Sequence, residues 1–365
     1  MEKENIALIS PYQNAYSETF IQAHKNYFDA NVYYYYDKIT KLENEGTLRI
    51  SRYQRIIRKI KHYLRIRQPS AWETAIINSF KKHSINKVYA EYGTTGVKIM
   101  PICKILNIPL IVNFHGYDAS VNSLKEEYKV QYKELFDYAE YIVVVSRVMG
   151  EKLISLGANL EEIIYTPCAP NDSFFELNPV FSENAFIAVG MFVDKKAPYY
   201  TIFAFAKILK KYPDAKLYFC GDGPLYNTCV NLVKYLKLSN NVIFFGSISS
   251  TDLKNIYERV TGFVQHSITA QNGDMEGTPV AVLEASAAGL PVVSTRHAGI
   301  QEVVLHEETG LLVNEHDVEQ MAEHMISLLD NKDYAKKLGA AGRELVKLNY
   351  SMKNHIEILN RLLHG

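Results

Sequence analysis

The sequence predicts an α/β protein with two doubly wound, Rossmann-like domains that face each other across a cleft. The chain has 365 residues, which is enough for about two domains of roughly 150 residues each. Short runs of β-branched and aromatic residues alternate with helix-length segments, a pattern typical of parallel sheets. The turn-rich segment 167–173 separates two such series. We therefore place the first domain at residues 1–170 and the second at 171–349.

Each strand of the two sheets is predicted from a short apolar run. The runs in the first domain are Ile6–Ile9, Val32–Tyr35, Lys87–Ala90, Leu110–Phe114, Tyr141–Val145 and Ile163–Tyr165. The runs in the second domain are Phe186–Val189, Lys216–Cys220, Val242–Phe245, Gly262–Val264 and Pro291–Ser294. Helical patterns lie between them, for example at 199–210 and 225–236. The stretch 333–363 is helical with a break near 349–351, and we expect the helix at about 350–365 to pack back on the first domain.

Composition and charge exclude several classes of protein. Lys and Arg together number 40, as do Asp and Glu, whereas a dedicated nucleic-acid binder carries a large basic excess. The sequence has neither an apolar run of about 18 residues nor a recognisable signal peptide. The four cysteines form no CxxC pair, which favours buried free thiols in a reducing compartment over disulfides or metal ligands. We therefore expect a cytoplasmic protein that does not bind nucleic acid.

The most informative segment is 273–293, which follows one of the predicted strands. Glu276 lies in a glycine-containing loop, and Glu284 lies on the helix that follows Pro279. Ligands of open parallel sheets bind beyond the carboxyl ends of the strands, and the free N–H groups at a helix start suit an anion. Two carboxylates beside such an end can accept hydrogen bonds from ligand hydroxyl groups, which a sugar and a ribose both offer. For either glutamate alone, a solvated side chain is the simpler interpretation.

This segment resembles the donor-site signature of the retaining GT-B glycosyltransferases of family GT4, often called glycosyl transferases group 1. The shared pattern is E-G-x-P-x-x-x-x-E-A-x-A-x-G-x-P-V-V, which begins at Glu276. Further segments resemble other motifs of that family, at 114–118, 186–198, 216–225, 241–246, 297–304 and 309–313. The resemblance is dense from about residue 110 to residue 345 and sparse before that, and it implies the GT-B fold.

The resemblance implies a donor site in the second domain. Glu284 would bind the ribose hydroxyls of a nucleotide donor, and Glu276 would bind hydroxyls of the transferred sugar. Lys196 would contact the diphosphate as a point charge, although an exposed lysine of a Lys-Lys pair is the alternative. The other donor-binding residues implied are Gly190, Gly246, Ser247, Gly277 and Thr278.

His115 directly follows the predicted strand Leu110–Phe114, at the carboxyl edge of the first sheet. A single histidine in such a place is more often structural. The segment His-Gly-x-Asp, however, resembles a family motif whose histidine lies near the transferred sugar. We therefore predict that His115 and Glu276 are the catalytic residues. Asp118 would orient His115, cap a helix that starts near Val121, or contact the acceptor.

The chain departs from the family pattern at two places. Met191 stands where the family usually has Arg, whose guanidinium would bind the diphosphate through two hydrogen bonds. Either Lys196 and another basic group such as Arg296 suffice, or donor affinity is reduced, or activity is lost. The N-terminal loop reads S-E-T-F in place of a glycine pair, and by resemblance it lies near the acceptor. The acceptor-binding residues predicted in that loop are Tyr16, Ser17 and Glu18.

The activity implied by the resemblance is sugar transfer with retention at the anomeric carbon. A UDP- or GDP-sugar would be the co-substrate, and a hydroxyl of a saccharide or lipid-linked acceptor would receive the sugar in cell-surface polysaccharide or lipopolysaccharide synthesis. Members of the family generally work without a bound metal, so no metal and no other cofactor is expected. The alternatives are a glycoside phosphorylase, a nucleotide-sugar epimerase, or a non-catalytic descendant that binds nucleotide or lipid.

A basic segment in the first domain has a separate interpretation. Residues 52–67 contain seven Lys or Arg and no acidic residue, and their apolar residues recur at helical spacing. This pattern predicts a basic amphipathic helix. Such a helix either lies on an anionic membrane surface, at the inner face of the cytoplasmic membrane, or packs on the first domain with a solvated basic face.

Overall fold

The computed structural model describes residues 3–13 and 19–365. In these ranges one sheet is formed from residues 5–165 and a second from residues 185–313. The strands of the first sheet are β1 Asn5–Ile9, β2 Asn31–Tyr36, β3 Lys41–Leu42, β4 Gly46–Thr47, β5 Lys87–Glu91, β6 Leu110–Phe114, β7 Tyr141–Val144 and β8 Ile163–Tyr165. The helices between them are α1 Thr19–Tyr27, α2 Arg52–Tyr63, α3 Ala71–Lys82, α4 Gly93–Leu106, α5 Tyr117–Ser120, α6 Asn122–Glu127, α7 Lys129–Phe136 and α8 Arg147–Ser155.

The second sheet and its helices follow the same alternation. Its strands are β9 Ala185–Val189, β10 Lys216–Cys220, β11 Val242–Gly246, β12 Gly262–Gln265, β13 Val292–Thr295 and β14 Gly310–Val313. The remaining helices are α9 Pro198–Ile208, α10 Tyr226–Tyr235, α11 Ser250–Tyr257, α12 Val280–Ala287, α13 Ile300–Val303, α14 Val318–Asp330, α15 Lys332–Asn349 and α16 Met352–His364.

Both sheets are doubly wound, as predicted. The first has the order β4-β3-β2-β1-β5-β6-β7-β8 and is parallel from β2 to β8, whereas β3 pairs antiparallel with both β2 and β4. The second is parallel throughout, with the order β11-β10-β9-β12-β13-β14. That order changes direction between β9 and β12, and the crevice at such a point is where ligands of these sheets bind.

The central strands are buried on both faces, which explains their nearly continuous apolar sequences. Every residue of β5 and β6 is buried, including Lys87 and Glu91 at the two ends of β5. A buried charge needs a partner. Lys87 donates to the carbonyl oxygen of Leu362 at 3.0 Å, and the partners of Glu91 belong to the candidate site.

The sequence missed some elements, and one predicted helix cap is wrong. The hairpin β3–β4 has two residues in each strand, too few to give a local pattern, and β14 was not predicted. The helix expected to start near Val121 is α6, and Val121 itself is its N-terminal cap. Asp118 lies inside the preceding short helix α5, so it does not cap α6.

The final helix, α16, packs against elements of the first domain. The amide of Asp29 donates to the side chain of Asn360 at 3.0 Å. His355 contacts two buried residues of the first domain, with 2.8 Å between its Nε2 and that of His24 and 2.8 Å between its Nδ1 and Thr166 Oγ1. The break predicted near 349–351 separates α15 from α16. The residue boundary of the two domains stays a prediction.

The helices in residues 3–13 and 19–365 differ from membrane-spanning helices in length and hydropathy. None of those helices is both long enough and apolar enough to cross a bilayer.

Replacing His355 with Ala should destabilise the protein by about 2–4 kcal/mol, because it leaves His24 and Thr166 buried without their partner and opens a cavity. Urea unfolding measures this change in free energy. Lys353→Ala is the matched control, since that side chain is 82% exposed on the same helix and should change stability by less than about 0.5 kcal/mol. Equal stabilities of the two variants would contradict the assignment.

Candidate active site

The carboxyl edges of the two sheets meet at the loop 272–278, which connects β12 to α12. The amide of Asn122 in the first domain donates to the carbonyl oxygen of Asn272 at 2.8 Å. The amide of Met275 donates to Ser120 Oγ at 3.1 Å, and the hydroxyl of Thr278 donates to the carbonyl oxygen of Val145. The loop therefore belongs to the second domain in sequence but is held along its length by the first.

Two glycines permit this approach. A Cβ atom on Gly277 would lie 2.7 Å from the carbonyl oxygen of His115 and 2.7 Å from the Val145 side chain. Gly116 has a φ of +128°, and a Cβ there would lie 3.2 Å from the Gly277 nitrogen, so both positions favour glycine. The structure thereby brings the predicted residues His115, Glu276, Gly277 and Thr278 together.

Lys196 and Glu276 form an ion pair inside this region. The Nζ atom of Lys196 lies 2.7 Å from Glu276 Oε1 and 3.4 Å from Gln265 Oε1. Burial alone would raise the pKa of Glu276, but the ammonium groups of Lys196 and Lys195 lower it to about 2. Glu276 is therefore ionised at neutral pH, and the alternative of a freely exposed Lys196 is wrong.

Gly190 lies against the same lysine. A Cβ on Gly190 would lie 3.0 Å from the side-chain carbons of Lys196, and the Gly190 amide donates to the carbonyl oxygen of Cys220 at 2.9 Å. A small cavity at this point is lined by Gly190, Lys196, Gln265 and Met191, among others. Met191 thus borders the pocket, and an arginine at this position would make the pocket more positive. Arg296, the other basic group considered for the diphosphate, is exposed on the loop after β13.

Glu284 occupies a different environment from Glu276. It is half-buried on α12, and no hydrogen bond to its carboxylate is found within residues 3–13 and 19–365. Burial raises the pKa of Glu284 to about 7, and the ammonium of Lys254 opposes this rise only in part. A carboxylate that has lost part of its hydration, with no donor among the described residues, is suited to accept hydrogen bonds from a ligand.

The two residues predicted to border a base lie at the end of β11. The carbonyl oxygen of Gly246 accepts a hydrogen bond from the Gly221 amide at 2.7 Å, and Ser247 is exposed to solvent. Neither contacts the Lys196–Glu276 pair directly. They lie at the carboxyl edge of the second sheet, with a surface open to a ligand.

His115 is anchored to a buried carboxylate. Its Nε2 lies 2.8 Å from Glu91 Oε2, and its ring stacks on Phe20 with 4.3 Å between centroids. Burial would lower the pKa of His115, but hydrogen bonds to Cys168 and Glu91 raise it to about 10. The ring is therefore an imidazolium at neutral pH.

Glu91 is a residue of the site that sequence analysis missed. Its Oε1 lies 2.5 Å from His24 Nδ1, and Asn113 donates to its Oε2 at 3.2 Å. Burial would raise the pKa of Glu91, but His24 and His115 lower it to about 2. The available signal was an acidic residue directly after the predicted strand Lys87–Ala90, at the carboxyl edge where ligands bind.

Asp118 does not face an acceptor. It is fully buried, and its carboxylate accepts hydrogen bonds from the amides of Gly93, His115 and Gly116 at 2.7, 3.0 and 3.1 Å. The prediction that it contacts the acceptor is therefore wrong, because all of its contacts are internal. Asp118 fixes the backbone that carries His115. The predicted residues Tyr16, Ser17 and Glu18 lie outside the described residues.

His297 also supports the loop 272–278 and was not singled out as a site residue. Its Nε2 accepts a hydrogen bond from the amide of Glu276 at 3.1 Å, while its Nδ1 lies 2.6 Å from Glu315 Oε1. The acceptor role of Nε2 and the carboxylate at Nδ1 fix the tautomer with the proton on Nδ1. His297 thus orients the backbone next to the Lys196–Glu276 pair.

Two Rossmann-like domains whose carboxyl edges meet at such a site define the GT-B class of transferases. Residues 171–345 match the family described as Glycosyl transferases group 1. This match spans just under half of the chain and, with the two parallel sheets, confirms the fold and the resemblance to that family predicted from the sequence.

Similar proteins agree with this assignment. The amylovoran biosynthesis glycosyltransferase AmsK of Erwinia amylovora is 30% identical over 71% of this chain, which spans 65% of the length of AmsK. A GDP-mannose-dependent alpha-(1-6)-phosphatidylinositol monomannoside mannosyltransferase of Mycobacterium tuberculosis is 32% identical over 44% of this chain and 42% of its own length. The crystal structure of Anabaena HepE in complex with UDP covers 99% of both chains with a TM-score of 0.78 and 14% identity, which shows the shared fold.

Glu284→Gln should make the protein more stable than the wild type above pH 7. The folded-state pKa of about 7 lies above the ordinary glutamate pKa of 4.5, so the native state keeps a proton that the unfolded state loses. The stability that Glu284 contributes therefore falls as pH rises from about 4.5 to 7 and stays low above it. The gain of the variant should reach at most about 3 kcal/mol.

Denaturant unfolding at a series of pH values measures this difference. Glu323→Gln, at an exposed position on α14, serves as the control. The assignment fails if the stability difference between Glu284→Gln and the wild type does not change with pH.

Proposed function

We propose that the protein transfers a sugar from a nucleotide-diphosphate donor to a hydroxyl of a saccharide or lipid-linked acceptor, with retention at the anomeric carbon. The observation that carries this proposal is the Lys196–Glu276 ion pair at the meeting of the two sheet edges. The pair holds an ammonium and a carboxylate that is ionised at neutral pH, 2.7 Å apart, and these are the kinds of group that bind a diphosphate and sugar hydroxyls.

Cleavage of the donor places negative charge on the leaving diphosphate. Lys196 stabilises that charge as it develops, because its ammonium is fixed beforehand against Glu276 and Gln265. Glu276 accepts hydrogen bonds from hydroxyls of the transferred sugar, and Glu284 accepts hydrogen bonds from the ribose hydroxyls. Retention of configuration is inferred from the resemblance to retaining enzymes. In such enzymes the proton of the acceptor hydroxyl passes to the departing phosphate, so we assign no protein base.

His115 contributes a positive group on the opposite side of the cleft. The imidazolium of His115, paired with Glu91, provides a fixed positive charge near the transferred sugar. The carbonyl oxygen of His115 packs on Gly277. The donor site as proposed uses protein groups alone, with no metal. Gly190, Gly246, Ser247, Gly277 and Thr278 complete it through backbone and hydroxyl contacts.

The names of the relatives support the choice of donor and acceptor classes. AmsK is named for amylovoran biosynthesis, the mycobacterial relative is GDP-mannose-dependent and modifies a phosphatidylinositol mannoside, and HepE was solved with UDP-glucose. We therefore infer a UDP- or GDP-sugar and a role in cell-surface polysaccharide synthesis, at the inner face of the cytoplasmic membrane. The loop with Tyr16, Ser17 and Glu18 remains the proposed acceptor side.

A non-catalytic nucleotide-binding role is the second candidate. It is favoured by Met191, which is 50% exposed beside the pocket where an arginine would bind the diphosphate. Incubation with the nucleotide sugar that binds, followed by NMR detection of free sugar, separates the two roles. Release of the sugar supports the transferase, and an unchanged nucleotide sugar after long incubation with acceptor saccharides supports the non-catalytic role.

Thermal unfolding in the presence of UDP, GDP, ADP and CMP should show stabilisation by one base. A ligand at about 100 times its dissociation constant stabilises by about 2.7 kcal/mol. At pH 8, where most of Glu284 is ionised, Glu284→Gln should weaken binding of this nucleotide at least about tenfold, because the ribose loses a charged acceptor. Glu323→Gln should bind the nucleotide normally. Failure of all four nucleotides to stabilise the wild type, or full binding by Glu284→Gln, would contradict the donor site.

Lys196→Met should weaken binding of the nucleoside diphosphate about tenfold or more and leave binding of the nucleoside unchanged, because only the diphosphate meets the ammonium. Isothermal titration with UDP against uridine, or with GDP against guanosine, measures the difference. Lys207→Met is the control, since Lys207 pairs with the exposed Glu319. Equal losses for nucleoside and diphosphate would show that Lys196 serves the fold alone.

A further inference from the structure

The basic helix α2 has no buried residue, although four of its exposed side chains and that of its C-terminal cap, Leu64, are largely apolar. The exposed fraction is 73% for Tyr53, 59% for Ile56, 54% for Ile60, 87% for Tyr63 and 58% for Leu64. Each of these side chains leaves more than half of its surface in water. A contiguous apolar surface of this kind marks an interaction site.

The exposed apolar residues form one stripe. At about 100° per residue, Tyr63, Ile56, Ile60, Tyr53 and Leu64 follow one another within an arc of about 100°. The opposite side of α2 holds the helix to the domain, where Asn78 donates to Gln54 at 3.1 Å and Arg58 donates to Thr74 Oγ1 at 3.1 Å. The alternative in which the apolar side packs on the first domain is therefore wrong, because that side faces away from it.

The charged residues around this stripe indicate what kind of surface it binds. Residues 52–67 carry seven Lys or Arg, and no Asp or Glu occurs between Glu45 and Glu73. On a helical wheel Arg52 and Lys59 flank the stripe on one side and Lys61 flanks it on the other. A second copy of the same helix would bring like charges together, whereas an anionic surface with an apolar interior matches both the stripe and its flanks.

We propose that α2 docks flat on a bilayer that contains anionic lipids. The stripe enters the boundary between headgroups and acyl chains, and the flanking cations contact lipid phosphates. The two tyrosines suit this depth because a phenol ring combines an apolar body with a polar tip. The docking does not depend on the proposed sugar transfer, since α2 lies outside the residues assigned to the donor site.

Co-sedimentation of the full chain with phosphatidylcholine vesicles, with and without about 30% phosphatidylglycerol, tests the docking. Binding should require phosphatidylglycerol and should fall as NaCl rises from about 50 to about 500 mM, because salt screens the cations. Ile56→Ser combined with Ile60→Ser should lower the partition coefficient about tenfold or more, from loss of apolar burial. Arg52→Gln combined with Lys61→Gln should lower it and reduce its salt dependence.

The control replaces apolar residues that are equally exposed elsewhere. Val130→Ser combined with Leu348→Ser, at positions 67% and 73% exposed, should bind vesicles like the wild type. Light scattering without lipid tests the competing partner, a second copy of the chain. The proposal is overturned if the wild type ignores anionic vesicles at low salt, if the α2 serine variant binds as the wild type does, or if α2 instead mediates a dimer.

Discussion

Backbone contact between the two sheet edges is the constraint on which the candidate site depends. Gly277 has room for a hydrogen atom but no side chain beside the carbonyl oxygen of His115, and Gly116 is equally restricted from the other side. Contacts between main chains cannot adjust by changing rotamer. The separation of Glu276 from His115 is therefore set by the backbone of the two domains. The charged side chains of the site project from this fixed backbone.

The same short segment carries two carboxylates with opposite electrostatics. Glu276 has its pKa lowered to about 2 beside two ammonium groups, and Glu284, eight residues later, has its pKa raised to about 7 by burial. Glu91 repeats the first arrangement in the other domain, with histidines as the cations. Burial alone therefore does not decide the charge of these groups, since the presence or absence of a fixed cation reverses its effect.

Much of the fold was predictable because its signals are local. The strands Leu110–Phe114, Ile163–Tyr165 and Lys216–Cys220 have the predicted bounds, since strands in a parallel sheet read as continuous apolar runs. The hairpin β3–β4 was not predictable, because its two-residue strands exist only through their pairing with each other and the pairing of β3 with β2. In the site, the motif around Glu276 identified the donor side, but the pairing of Glu91 with His24, 67 positions away, is a long-range contact that no spacing reveals.

The docking of α16 on the first domain has a consequence for how the chain can be divided. Thr166 and His355 are 189 positions apart, and the whole second domain lies between them. The ribosome completes the first sheet long before it makes α16, which covers His24 and Thr166. These two side chains therefore lack their hydrogen-bond partner His355 through much of translation. Cutting the gene near residue 170 would reproduce the same unfinished state. An independent first domain requires residues 352–364 to be rejoined to it through a linker.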